Sequence, residues 1–138
     1  MEYVTLNAAL RIIAAARAKA DEIGVPMNIA VVDSGANLVA FARMDKAWLG
    51  SVEIAQNKAY TARAFDMPTS VILPLAQPGG ALFGINDATD HRIVIFGGGV
   101  PLKVNDQIVG AIGVSGGTPK QDEQVAEAGA HAFSDAKT

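Results

Sequence analysis

The chain has 138 residues, half of them apolar and 18% charged, with 11 Lys plus Arg against 14 Asp plus Glu for a net charge of −3. This length suits one domain spanning residues 1–138; the apolar content excludes a mainly disordered chain, and the acidic balance with no basic run excludes binding driven by phosphate neutralisation, to nucleic acid or to an anionic membrane. Zero cysteines exclude a disulfide framework, a thiolate metal site and a cysteine nucleophile, and fit a cytoplasmic protein, as do a start (Met1-Glu2-Tyr3-Val4) unlike a secretory signal and the lack of any run of about 18 apolar residues.

The first predicted element is a helix over Leu6 to Ile23. Thr5 can cap it, Leu6, Leu10, Ile13 and Ala14 share a side, Gly24 stops it and Pro26 prevents continuation. Met27 to Arg43 reads as a hairpin, with strands Asn28–Val32 and Leu38–Arg43 around the turn Asp33-Ser34-Gly35-Ala36-Asn37. A second helix is predicted from Ser51, as cap, to Phe65, with Val52, Ala55, Ala59 and Ala62 as a stripe of small side chains beside Ile54, Lys58, Thr61 and Phe65. Val71-Ile72-Leu73 reads as a short strand or extended link. Pro74 to Asp90 is expected to be irregular, and long irregular pieces are often functional.

Arg92-Ile93-Val94-Ile95-Phe96 reads as a strand, interrupted by Gly97-Gly98-Gly99, and Val100–Val104 as another. Asn105-Asp106 suits a type I′ turn, and Gln107–Val114 returns as a long strand. Thr118-Pro119-Lys120-Gln121 has the pattern of a capping box with Pro at the first helical position, opening a helix to about Phe133. Ser134 to Thr138 is expected to fray. Strands that meet through hairpins favour an antiparallel sheet flanked by helices over a parallel dinucleotide-binding sheet.

Few residues carry candidate chemistry. Gly110 and Gly113 lie inside a strand, so they serve close backbone packing or subunit contact rather than a pyrophosphate turn. Ser115-Gly116-Gly117 sits between a strand and a helix start, where free amides can hold an anion. Gly98 and Gly99 can bring amides to a ligand rim. Arg43 can clamp a carboxylate, or pair with Asp45 or Asp33. Lys58, partly buried, can act as a base or imine former, or simply snorkel or form an ion pair. Asp122 is explained by the helix dipole. His91 and His131 are too far apart for a metal-ligand pair, although His91 can serve as a single axial ligand to haem iron.

Taken in order, Ile29-Ala30-Val31-Val32-Asp33-Ser34-Gly35, Arg43-Met44-Asp45, Lys58-Ala59, Gly98-Gly99-Val100-Pro101-Leu102 and Gly110 through Gly117 with Asp122 resemble the GlcG/HbpS-like family, also found at the C-terminus of PduO-type proteins. The resemblance covers about residues 4 to 133. It implies an α/β (α+β) fold, a profilin-like three-layer α/β/α sandwich around a five-stranded antiparallel sheet. It also implies homo-oligomers, from dimers to octamers, with haem as a ligand in some members and a catabolic setting in others. An iron or haem site in this chain must use His91, His131 or a ligand such as Tyr60 or Lys58.

Three readings follow. One is an oligomeric small-ligand-binding protein with haem as ligand, His91 on the metal, Gly98, Gly99, Ser115 and Gly116 at the ligand, and Arg43 and Lys58 on the propionates. A second is a cofactor-free enzyme acting on a small oxo, hydroxy or enol acid. There Arg43 would hold the carboxylate, Lys58, Asp33 or Asp45 would shuttle the proton, and glycine amides would stabilise an oxyanion. The third is a structural or accessory subunit. The first two need these groups to converge on one hollow.

Overall fold

A computed structural model describes residues 3–135. Helix α1 (Leu6–Ile23) starts at Thr5, whose Oγ1 accepts the Ala8 amide at 3.0 Å, and ends at Gly24, left-handed with φ 74°. The hairpin is β1 (Asn28–Asp33) and β2 (Leu38–Arg43). Helix α2 is Gly50–Phe65 and α3 is Thr69–Leu75. Strands β3 (Gly99–Val104) and β4 (Gln107–Ser115) join through Asn105 and Asp106, both at positive φ (50° and 67°) as a type I′ turn requires.

Helix α4 (Pro119–Asp135) opens on the capping box: Gln121 N donates to Thr118 Oγ1 at 3.2 Å and Thr118 N to Gln121 Oε1 at 2.9 Å. Thr118→Ala is therefore expected to cost about 1 kcal/mol in urea-unfolding free energy. Ser134 and Asp135 belong to α4, which ends two residues beyond the expected Phe133; residues 136–138 lie outside the described residues.

The sheet is antiparallel with order β2-β1-β4-β3, so β1 and β4 are central. One face packs on α1 and α4 through Ile12, Ala16, Ile29, Val31, Ile112, Val114 and Val125. The other face packs on α2 through Ala30, Val32, Ala111, Ala55, Ala59 and Ala62. The contribution of α2 to this layer is only one methyl deep, from Ala55, Ala59 and Ala62. Glycines make the approach possible: a Cβ on Gly113 would collide with the Ala55 carbonyl oxygen and stand 2.5 Å from Ala59 N.

Three expectations need correction. The sheet has four strands, not five, because the run Arg92–Phe96 is not a strand. Thr61 on α2 supplies part of its backbone bonding: Val94 N donates to Thr61 Oγ1 at 3.0 Å, while the hydroxyl proton is shared between Asn57 O at 2.8 Å and Arg92 O at 3.2 Å. Ile93 is thereby buried without ladder pairing. Val71–Leu73 is helical within α3, where Ile72 supplies the buried contact and the Thr69 hydroxyl accepts the Gly99 amide at 2.9 Å. Ser51 does not cap α2; the helix begins one residue earlier behind Leu49, with no side-chain cap, and Ser51 is buried.

Candidate functional site

Lys58 lies on the sheet-facing side of α2 and is wholly buried. Its Nζ donates to Val114 O at 2.9 Å and to Asp122 Oδ2 at 2.9 Å. Asp122, in the first turn of α4, uses Oδ1 to accept the Gly117 amide at 2.8 Å. Val114 N in turn donates to Gly98 O at 2.8 Å. Gly98, at φ 132°, is obligatory in this arrangement, since a Cβ would stand 2.6 Å from Nζ. The Phe96 ring covers the ammonium, its centroid 5.0 Å away. Burial pushes the Lys58 pKa down, and the charge and hydrogen bond of Asp122 pull it partly back.

The structure thus brings Lys58, Gly98, Gly99, Ser115 and Gly116 into one region, but as a closed junction of α2, β3, β4 and α4. The Gly99 amide is already spent on Thr69, and Gly116 packs against Pro26 and Met27. Asp122 is the partner that sequence reasoning missed. A signal for it existed: an acid in the first turn of a helix that directly follows a strand and a Gly-Gly pair faces back over that strand's end.

Arg43 and Asp45 lie elsewhere. They border a cleft of about 460 Å³ between the C-terminal end of α1, the link through Gly24 to Pro26, and residues 42–46 after β2. Arg43 pairs with neither Asp45 nor Asp33; its Nε and Nη2 both donate to Ala47 O, at 3.2 and 2.9 Å. Asp33 sits at the opposite end of β1 and caps the hairpin turn, its Oδ1 accepting the Gly35 and Asn37 amides at 2.9 and 3.0 Å. In the sheet, Asn28 pairs with Arg43 on one side and Ser115 on the other. Asn28 is buried, its Nδ2 donating to Trp48 O at 3.0 Å while Oδ1 has no partner among the described residues. The single hollow joining Arg43, Asp45 and Lys58 does not form: Lys58 is not part of the cleft wall.

His91 stands apart again, in the 3₁₀ turn Thr89–His91. Its imidazole is 77% exposed and Nδ1 lies 3.5 Å from Asp87 Oδ1. Thr89, Asp90 and His91 are all left-handed (φ 52°, 56° and 61°), a costly run for residues with a Cβ. Around it, the segment from α3 to β3 exposes Val71, Leu73, Leu75, Leu82, Phe83 and Phe96. Of the other candidate iron ligands, Lys58 is spent on Asp122, Tyr60 carries the Arg92 guanidinium 3.6 Å above its ring, and His131 is exposed on α4. Among the described residues, no three His, Cys, Asp or Glu side chains group as a metal cage, and no helix is long and apolar enough to cross a membrane.

Helices on both faces of an antiparallel sheet, closed by a buried lysine–aspartate pair behind a Gly-Gly turn, define a compact α/β domain built around one central strand pair. The family described as haem degrading protein HbpS-like matches residues 4–131, and the chain belongs to this family. It is similar to a 15.0 kDa protein of the dhaT–dhaS intergenic region of Citrobacter freundii, 46% identical over 132 residues, which are 96% of this chain and 93% of that one. Among solved structures it is similar to the Klebsiella pneumoniae protein ORFY (40% identity, TM-score 0.96, covering 100% of this chain and 94% of that one). It is also similar to PduOC crystallised as a haem complex (32% identity, TM-score 0.88, covering 91% of each chain).

Proposed function

We propose that the chain is a small-ligand-binding protein whose ligand is haem, held on the surface between α3 and β3 with His91 as the iron ligand. The observation that carries this reading is the likeness, over 91% of each chain, to a protein whose crystal structure is a haem complex. The residues of this chain fit such a group. His91 offers an unburied imidazole, with Asp87 Oδ1 3.5 Å from Nδ1 on the side away from Nε2 that would hold the metal. Leu82, Phe83 and Phe96 offer exposed apolar surface to a porphyrin face. Haem supplies an iron centre; the chain's part is to ligate it and shield it from water. Lys58 drops out as a propionate partner because its ammonium is already paired.

Self-association is part of the same proposal. His91 sits on an open surface, so one protomer covers only one side of a porphyrin. Trp48 and Leu49 are 66% and 74% exposed, and apolar surface of this kind is covered most simply by a second copy. The test is a hemin titration followed at the Soret band, with sedimentation velocity on the same samples. Saturable binding to an oligomer is expected, weakened by more than about tenfold in His91→Ala. Binding with the same midpoint and Soret position in His91→Ala would remove His91 and this site.

A further inference from the structure

We propose a second site in the cleft beside α1: a pocket for a small monocarboxylic acid with a short apolar body, its carboxylate on Arg43. Arg43 itself points to this site, independently of the haem reading. Two of its donors are fixed on one carbonyl oxygen, that of the buried Ala47, so the guanidinium is held in one orientation without being neutralised. Among the described residues no carboxylate lies within 4.0 Å of Arg43 or of Lys46. An arginine oriented by a neutral acceptor loses little conformational freedom on gripping an anion, and its remaining N–H groups are the ones suited to a carboxylate.

The rest of the cleft narrows the ligand class. Lys46 and Asp45 stand on the same rim as Arg43, and Arg17 is already engaged with Asp21 at 4.0 Å. Counting unpaired rim groups gives two positive and one negative, an excess of one. One carboxylate balances that excess; a dianion overshoots it and faces Asp45. Val25, Pro26 and Met44 supply apolar wall, which favours a short hydrocarbon chain over a bare inorganic anion. Lys46 is held at φ 72°, so the rim is shaped by a constrained turn rather than by a free loop.

Sodium butanoate titrated into the labelled protein, followed by amide chemical shifts, tests the proposal. Saturable shifts are expected in residues 42–47 and around Gly24 and Val25, with butanamide and succinate giving much weaker responses. Arg43→Met should weaken butanoate about tenfold. Lys46→Gln, an exposed change that leaves the Ala47 contact intact, should weaken it about threefold by the same arithmetic. The shifts should persist in hemin-loaded protein. Non-saturable shifts, equal response to butanamide, an unchanged midpoint in Lys46→Gln, or displacement by hemin would each overturn the site as a separate monocarboxylate pocket.

Discussion

Asp122→Ala is expected to lower the unfolding free energy by about 3–5 kcal/mol, the cost of leaving one member of a buried ion pair uncompensated. The substitution strands the Lys58 ammonium, wholly buried, with only the Val114 carbonyl and the Phe96 ring beside it. It also orphans the Gly117 amide that Oδ1 accepts. Asp122→Asn should recover little of the loss, since its one carbonyl oxygen can accept from Gly117 or from Lys58 but not from both, and its NH2 then faces the other donor. Pairing Lys58→Met with Asp122→Leu should recover much of the loss, because two apolar groups leave no charge behind. Urea unfolding of the three variants measures this. A loss below about 1 kcal/mol in Asp122→Ala would mean that the pair behaves as a solvated one and does not hold the junction.

The same pair has a pH signature. Burial lowers the Lys58 pKa from its ordinary 10.5. Between the depressed folded value and 10.5 the unfolded chain carries more protons at this site than the folded one, so stability from this group rises with pH across that window. Below the window Lys58 is charged in both states and its contribution is least favourable. The unfolding free energy of the wild type relative to Lys58→Met should therefore climb as alkaline pH is approached. A falling difference would reverse the assigned dominance of burial over the attraction of Asp122.

What the sequence reveals here depends on how local the cause is. Thr5, Gly24 and the Thr118–Gln121 box act within a few residues of themselves, and the helix ends they mark are where the structure has them. The turn at Asn105-Asp106 is legible for the same reason. Arg92–Phe96 is not, because an apolar run with β-branched residues looks alike whether a sheet or a helix buries it. The deciding partner is a hydroxyl on α2, 33 positions from Val94.

The site divides along the same line. Lys58 as a buried, paired lysine can be weighed from its place beside a small-residue stripe, but Asp122 lies 64 positions away in the chain. Its position in a first helical turn already accounts for it locally, which hides the longer contact. The partner of Arg43 is a backbone carbonyl, and backbone acceptors leave no trace in residue type. The left-handed run at Thr89-Asp90-His91 is hidden too, since none of these residues is the glycine that usually announces such a backbone.

Gly113→Val is expected to abolish folded protein, and Gly113→Ala to lower stability by at least about 1–3 kcal/mol. Gly113 lies in β4, a central strand paired with β1 at Ala30 and with β3 at Gly99. A Cβ there would meet the backbone of α2 at Ala55 and Ala59, and the Ala59 Cβ at 3.0 Å. A backbone cannot turn aside as a side chain does, so α2 must lift as a body. α2 meets the sheet there through the methyls of Ala55, Ala59 and Ala62, too short to bridge a wider gap. Lifting α2 also draws Lys58 from Val114 and Asp122, coupling the packing loss to the ion-pair loss. Gly50→Ala is the control, because a Cβ there meets nothing within 4 Å and its effect should be close to zero. Thermal unfolding followed by circular dichroism should show a midpoint lowered by several degrees in Gly113→Ala and no cooperative transition in Gly113→Val. A Gly113→Ala midpoint equal to that of the wild type would show that α2 stands further from the sheet than this packing requires.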